Sequence, residues 1–151
     1  MKKWILLLLA SLSMIFAGCT TLKLDVKSVK TSEAKLVKIE EVIPTINSII
    51  VTISNNSDEV VEVVWDRSKI NGASPFLKGK YIDAGKSQTN DIIAPKDKST
   101  FTIYSSDDVG YAGGWYIDYL DYPAKLILCI KKGNSEEFII SEIDAKLVEE
   151  K

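Results

Sequence analysis

From Leu36 onward, apolar and polar residues alternate with a period of two, in runs rich in β-branched side chains that Asn, Asp, Gly and Pro break at short intervals. That period sends successive side chains to opposite faces of an extended strand, whereas an amphipathic helix needs apolar residues three and four apart. Ile49, Val51 and Ile53 alternate with Ile50, Thr52 and Ser54; after Asn55-Asn56-Ser57-Asp58, Val61, Val63 and Trp65 alternate with Glu62, Val64 and Asp66. The pattern predicts a hairpin over 48–66 that turns at the Asn-Asn-Ser-Asp segment, with Trp65 placed as a core residue. Further strands are predicted at 36–43, around 80–84, at 100–104 with Phe101 and Ile103 inward, and at 124–131 and 136–143, the last two joined by a turn at Lys132-Gly133-Asn134-Ser135. Pro75, Pro95 and Pro123 fall in connections or at strand edges, where the missing N–H costs no ladder hydrogen bond. About seven short strands over some 110 residues predict an all-β fold, an antiparallel β-sandwich of two sheets, because a lone sheet would leave one apolar face wet.

The first 18 residues have another character. Lys2 and Lys3 precede an apolar stretch from Trp4 to Ala10, which continues in slightly more polar form from Ser11 to Phe16. The uncharged run from Trp4 to Gly18 is 15 residues long, short of the roughly 20 that a permanent membrane helix needs. It predicts a signal peptide that is removed. The residues Phe16-Ala17-Gly18-Cys19 resemble the lipobox of bacterial lipoproteins, in which small residues before the cysteine admit the signal peptidase; Phe16 stands where that family prefers Leu. The resemblance implies cleavage before Cys19, diacylglycerol on its thiol and acylation of the freed amine. Two or more chains, at about 0.8 kcal/mol per buried methylene, then hold the protein on a membrane. In a Gram-negative host Thr20, in place of Asp, implies the outer membrane; in a Gram-positive host the outer face of the plasma membrane is implied.

Residues 19–35 then form the lipidated Cys and a polar tether, and 36–151 the folded domain. Thr20–Lys35 carries few large apolar residues, which predicts a flexible spacer holding the domain on the order of 20 Å from the lipid. Lys23, Lys27 and Lys30 would lie near the headgroups.

Loss of residues 1–18 removes two of the 19 basic residues and none of the 21 acidic ones, leaving net charge −4. A basic nucleic-acid footprint is therefore missing. The mature length suits one domain with a real core. With Cys19 lipidated, Cys129 has no partner in the chain, and its setting in Leu126-Ile127-Leu128-Cys129-Ile130 predicts a buried structural thiol. The stretch from Ile49 to Trp65, with Ile92-Ile93-Ala94-Pro95 before a Lys-Asp-Lys-Ser turn, resembles small bacterial lipoproteins carrying one immunoglobulin-like sandwich of unknown function. That resemblance implies a fold and assigns no catalytic residue; the cysteine pair of true immunoglobulin domains is missing.

The sequence contains no histidine, which excludes Ser-His and Cys-His nucleophilic pairs and histidine-based zinc or copper sites. Gly110, Gly113 and Gly114 lack the Lys-Ser/Thr ending of a phosphate loop. Asp107, Asp108, Asp118 and Asp121 are the candidates for carboxylate acid/base work or for Ca²⁺, though their spacing matches no calcium loop. The densest aromatic stretch holds Tyr111, Trp115, Tyr116, Tyr119 and Tyr122. Two roles are open to it: a recognition patch for an envelope protein or glycan, with Trp115 as anchor, or a set of rings closing one end of the sandwich. The expectation from these features is a membrane-anchored, non-enzymatic envelope module without cofactor, contacting its partner through loops or an open strand edge. The alternatives are a phage or mobile-element lipoprotein that blocks superinfection, and an enzyme working through carboxylates alone.

Overall fold

The computed structural model describes residues 20–77 and 89–150; the signal segment, Cys19 and the strand predicted around 80–84 lie outside the described residues. Two antiparallel sheets face each other. One has the order β1 (Thr21–Thr31), β12 (Ser135–Glu150), β11 (Ala124–Lys132), β4 (Val61–Val63) and β7 (Asp91–Ile93), with β5 (Lys69–Ile70) also paired to β11. The other runs β2 (Lys38–Pro44), β3 (Ile49–Ser54), β8 (Lys98–Ser105) and β6 (Pro75–Leu77). β9 (Val109–Tyr111) and β10 (Trp115–Ile117) make a separate two-stranded hairpin. The fold is an all-β sandwich, as the period-two pattern predicts. β2, β3 and β8 against β12, β11 and β4 follow the strand order A-B-E against G-F-C of an immunoglobulin-type sandwich. β6 and β7 depart from it, because the chain visits the edge beside β8 before the edge beside β4.

The alternation fills the space between the sheets. Ile49, Val51, Ile53 and Ile103 from one sheet meet Val61, Val63, Leu126, Ile130, Ile139 and Ile143 from the other, all essentially without solvent contact. Trp65 is equally buried, packs edge-on against Phe101 with ring centroids 5.2 Å apart, and donates its Nε1–H to Asp91 Oδ2 at 2.7 Å. Cys129 is buried, and burial pushes its thiol above the usual range. The predicted turn after Lys132 closes β11 onto β12, with Gly133 in the left-handed region at φ +56°.

Two expectations are corrected. The strands at 49–54 and 61–63 are not a hairpin: β3 pairs with β2 and β8, while β4 pairs with β11 and β7. Residues 55–60 cross from one sheet to the other, and alternation looks the same whether the next strand pairs or crosses. What distinguishes this crossing is Asn55, fully buried, whose Nδ2 donates to the carbonyls of Glu59, Ile93 and Ala94 at 2.7, 3.0 and 3.1 Å. Its Oδ1 accepts from the amide and the hydroxyl of Ser57 at 3.1 and 2.7 Å.

The flexible spacer is the second correction, because most of Thr20–Lys35 is strand β1. β1 pairs along its length with β12, from Thr21 opposite Glu150 to Thr31 opposite Ser141. Few apolar groups are needed where backbone hydrogen bonds to a long neighbour order the chain. Leu24, half-buried, also packs on the core. β12 accordingly runs past residue 143, the predicted end, to Glu150.

Candidate functional site

The aromatic and acidic stretch lies at the end of the sandwich where β8 finishes and β11 begins. A one-turn 3₁₀ segment, Ser106–Asp108, follows β8 and is capped by Ser105, whose hydroxyl accepts from the Asp107 amide at 3.3 Å. The β9–β10 hairpin then projects, its base tied by the Asp118 amide donating to the Asp108 carbonyl at 2.7 Å. Gly113 turns its tip at φ +71°. Gly110 lies opposite Tyr116, and a Cβ there would come within 2.3 Å of the Tyr116 ring. The ring lies across bare backbone, which fixes it on the hairpin face.

The residues after β10 are tied to the sandwich. The Leu120 amide donates to the Ile46 carbonyl at 3.0 Å, and the Leu120 side chain is buried. The Tyr122 hydroxyl donates to the Thr45 carbonyl at 2.6 Å, before a cis peptide to Pro123. Burial pushes the Tyr122 phenol up to about 12, so it stays protonated and donating at neutral pH. Asn71 reaches the same segment: its Nδ2 donates to the Asp121 carbonyl at 2.8 Å and its Oδ1 accepts from the Lys125 amide at 2.9 Å.

The five aromatic candidates therefore divide. Tyr122 takes the end-closing role. Tyr111, Tyr116 and Tyr119 are 69%, 54% and 47% exposed, and Ile117 adds 39%, so one hairpin and its exit carry four large side chains into solvent. Trp115 lies in β10 between them; its side chain is outside the described part. The positioning residues Asn71, Thr45 and Ile46 are not among the sequence candidates. The one available signal is Asn71-Gly72, a dipeptide favoured where two successive residues have positive φ, and here φ is 49° and 83°.

Of the four candidate carboxylates, Asp108, Asp118 and Asp121 line one open cavity of about 550 Å³ with Tyr119 and Tyr122, bounded by Lys146 and Leu147 of β12. Partial burial, then the neighbouring charges of Asp121, Asp107 and Asp118, hold the Asp108 carboxyl above the usual range. Among the described residues, no three Asp, Glu, Cys or His groups come together in a way that could hold a metal ion. No helix among the described residues is long and apolar enough to cross a membrane.

A second concave feature lies between the edge strands. Val29 of β1, Ala34 and Val37, and Ile39 and Val42 of β2 line a groove of about 410 Å³. Both edges carry a register irregularity, at Val26/Ser28 and at Ile39/Glu41, and β2 carries the Lys38–Glu40 ion pair at 2.7 Å. Bulges and charges are what discourage a further strand from adding to an edge. Comparison of the chain with family models, with curated proteins and with solved structures gives no match.

Proposed function

We propose that the mature chain is a lipid-anchored, non-enzymatic contact module of the bacterial cell envelope, held through Cys19 and engaging its partner through the β9–β10 hairpin and Tyr119. The observation that carries this reading is the exposure of Tyr111, Tyr116 and Ile117 on one small projecting sheet and of Tyr119 just after it. Solvent-facing tyrosines on a short hairpin supply contact area at low conformational cost, and they are not needed for the core, which is filled by the two sheets. The lipobox-like Phe16-Ala17-Gly18-Cys19 supplies the anchor in this reading.

The test has two parts. Intact mass of the processed protein is expected to place Cys19 at the N-terminus with diacylglycerol and acyl chains; an unmodified sulfur there would remove the anchor. Tyr111→Ser combined with Tyr119→Ser is expected to leave the melting temperature within about 2 °C and to weaken recovery of the envelope contact in crosslinked cells by about thirtyfold, since each well-placed ring contributes roughly 1 kcal/mol or more to a contact and about 1.4 kcal/mol is a factor of ten. A variant that unfolds would assign the rings to the fold.

A second reading, carboxylate-dependent hydrolysis, draws on the shared cavity of Asp108, Asp118 and Asp121. It is the weaker one, because crowded, partly exposed acids raise one another's pKa without any catalytic purpose. Turnover of glycoside substrates that disappears in Asp108→Asn would favour it.

A further inference from the structure

The β1–β12 ribbon gives an anchored chain a direction. Ile143 lies opposite Ala124, the first residue of β11, and beyond it β12 continues to Glu150 with β1 beside it. Seven residues at about 3.4 Å each extend this ribbon about 24 Å past the start of β11. Its far end pairs Glu150 with Thr21, two residues after Cys19. An acylated Cys19 thus sets that end of the ribbon at the bilayer surface. The aromatic hairpin leaves the sandwich on the same side, because Asp108 and Asp118 at its base share a cavity with Lys146 and Leu147 of the ribbon. The base therefore lies beside β12 three to four residues short of Glu150, a gap of roughly 10–14 Å. Five residues separate Asp108 from Gly113 at the tip, up to about 17 Å of extended chain, which is enough to span the gap.

We propose that the β9–β10 hairpin and Tyr119 rest in the headgroup region of the same bilayer that holds the Cys19 lipid, so that the domain stands on two feet, one covalent and one aromatic. This names the contact partner of the preceding section and rests on the lipidation of Cys19 proposed there. The exposed side chains suit that location: tyrosines have an apolar body and a polar tip and gather where hydrocarbon meets water. The four flanking carboxylates, Asp107, Asp108, Asp118 and Asp121, with Glu149 and Glu150 at the ribbon end, outnumber Lys23 and Lys146 on this side, so an anionic surface repels it and a zwitterionic one does not.

The experiment uses the whole chain, processed in a bacterial host and reconstituted in phosphatidylcholine vesicles. Ala112→Cys at the exposed tip carries a nitroxide, with Asn134→Cys in the β11–β12 turn at the opposite end as reference; Cys129 is buried and is left unlabelled. The label at 112 is expected to meet a water-soluble nickel complex severalfold less often than the label at 134, and to meet oxygen more often. The difference is expected to shrink as phosphatidylglycerol replaces phosphatidylcholine, and to vanish when Tyr111→Ser and Tyr119→Ser are added. An unacylated Cys19, read independently by mass, would overturn the anchor and this inference together. Acylated protein with equal nickel access at both labels would overturn the inference alone. So would protection seen only in native membranes, which would give the hairpin a protein partner, or protection that survives loss of both tyrosines.

Discussion

Asn55 shows how a single amide settles what a turn does. Fully buried, it gives hydrogen bonds to three carbonyls on two separate segments and receives two from Ser57, so the crossing between sheets is fastened to the end of β7. Asn55→Ala takes one donor from each of those carbonyls, of which Glu59 keeps the Ser57 hydroxyl and Ala94 the Asp97 amide, and removes the acceptor of the Ser57 amide, at about 1–3 kcal/mol for a buried group left unsatisfied. Urea denaturation is expected to show a loss of about 2–4 kcal/mol, and a loss well under 1 kcal/mol would mean that water replaces the amide. Asp108 gives the opposite sign. Its carboxyl is held above the ordinary range by burial and by Asp121, Asp107 and Asp118, so the native state binds that proton more readily than the unfolded chain does. The favourable contribution is present in full below the unfolded pKa and is lost as the pH rises through the raised native value. Asp108→Asn is therefore expected to raise the melting temperature at about pH 7 by roughly 1–2 °C, the scale that partly exposed like charges allow, and to give no gain at about pH 3. An equal gain at both pH values would show that repulsion is not the cause.

At the scale of elements, legibility follows how local the deciding interaction is. Strands with one face in the core, such as β3, β11 and the first half of β12, are written in their own alternation, and the turn after Lys132 is written in Gly133-Asn134. β1 was hidden because its order comes from pairing with residues more than a hundred positions away, and its lysines resemble those of a solvated coil. Lysines on an edge strand also guard it against further pairing, so the same residues fit both readings. The candidate site divides in the same way. Its aromatic density is plain in the sequence, whereas the split between exposed Tyr111, Tyr116 and Tyr119 and end-closing Tyr122 depends on the Thr45 carbonyl in a distant turn. Two measurements check β1. Trypsin acting on the native protein is expected to spare Lys23, Lys27 and Lys30, where a spacer would be cut at all three. Leu24→Asp is expected to cost about 2 kcal/mol for a half-buried apolar side chain packed on the core. Early cleavage at Lys27 together with an unchanged melting temperature would return this stretch to the role of tether.

For the whole molecule, replacing a loose tether by a ribbon changes what the proposed Cys19 anchor would control. A coil of 16 residues would let the domain tumble over any face, whereas a strand paired to the sandwich from Thr31 back to Thr21 transmits orientation to the sheet it belongs to. The chain's described ends come together at the tip of that ribbon, with Thr21 opposite Glu150, and the Gly133-Asn134 turn lies at the other end of the sandwich. If Cys19 is acylated as proposed, an epitope appended after Lys151 is expected to lie close to the membrane, and one inserted between Gly133 and Asn134 to point away from it. In spheroplasts or permeabilised cells, antibody should reach the inserted epitope several times faster than the appended one, while detergent-solubilised protein should show the two alike. The logic depends on pairing and not on the aromatic hairpin, so it holds for variants lacking Tyr111 and Tyr119. Shortening the ribbon by matched deletion of Leu22-Lys23 and Val148-Glu149 keeps the pairing in phase, because two residues preserve which face each side chain takes. That variant is expected to lower accessibility at both epitopes in membranes and to change neither in detergent. Equal antibody rates at the two positions in intact membranes, with β1 protected from trypsin, would mean that the joint between Cys19 and Thr21 swivels freely and that the ribbon sets height but not orientation.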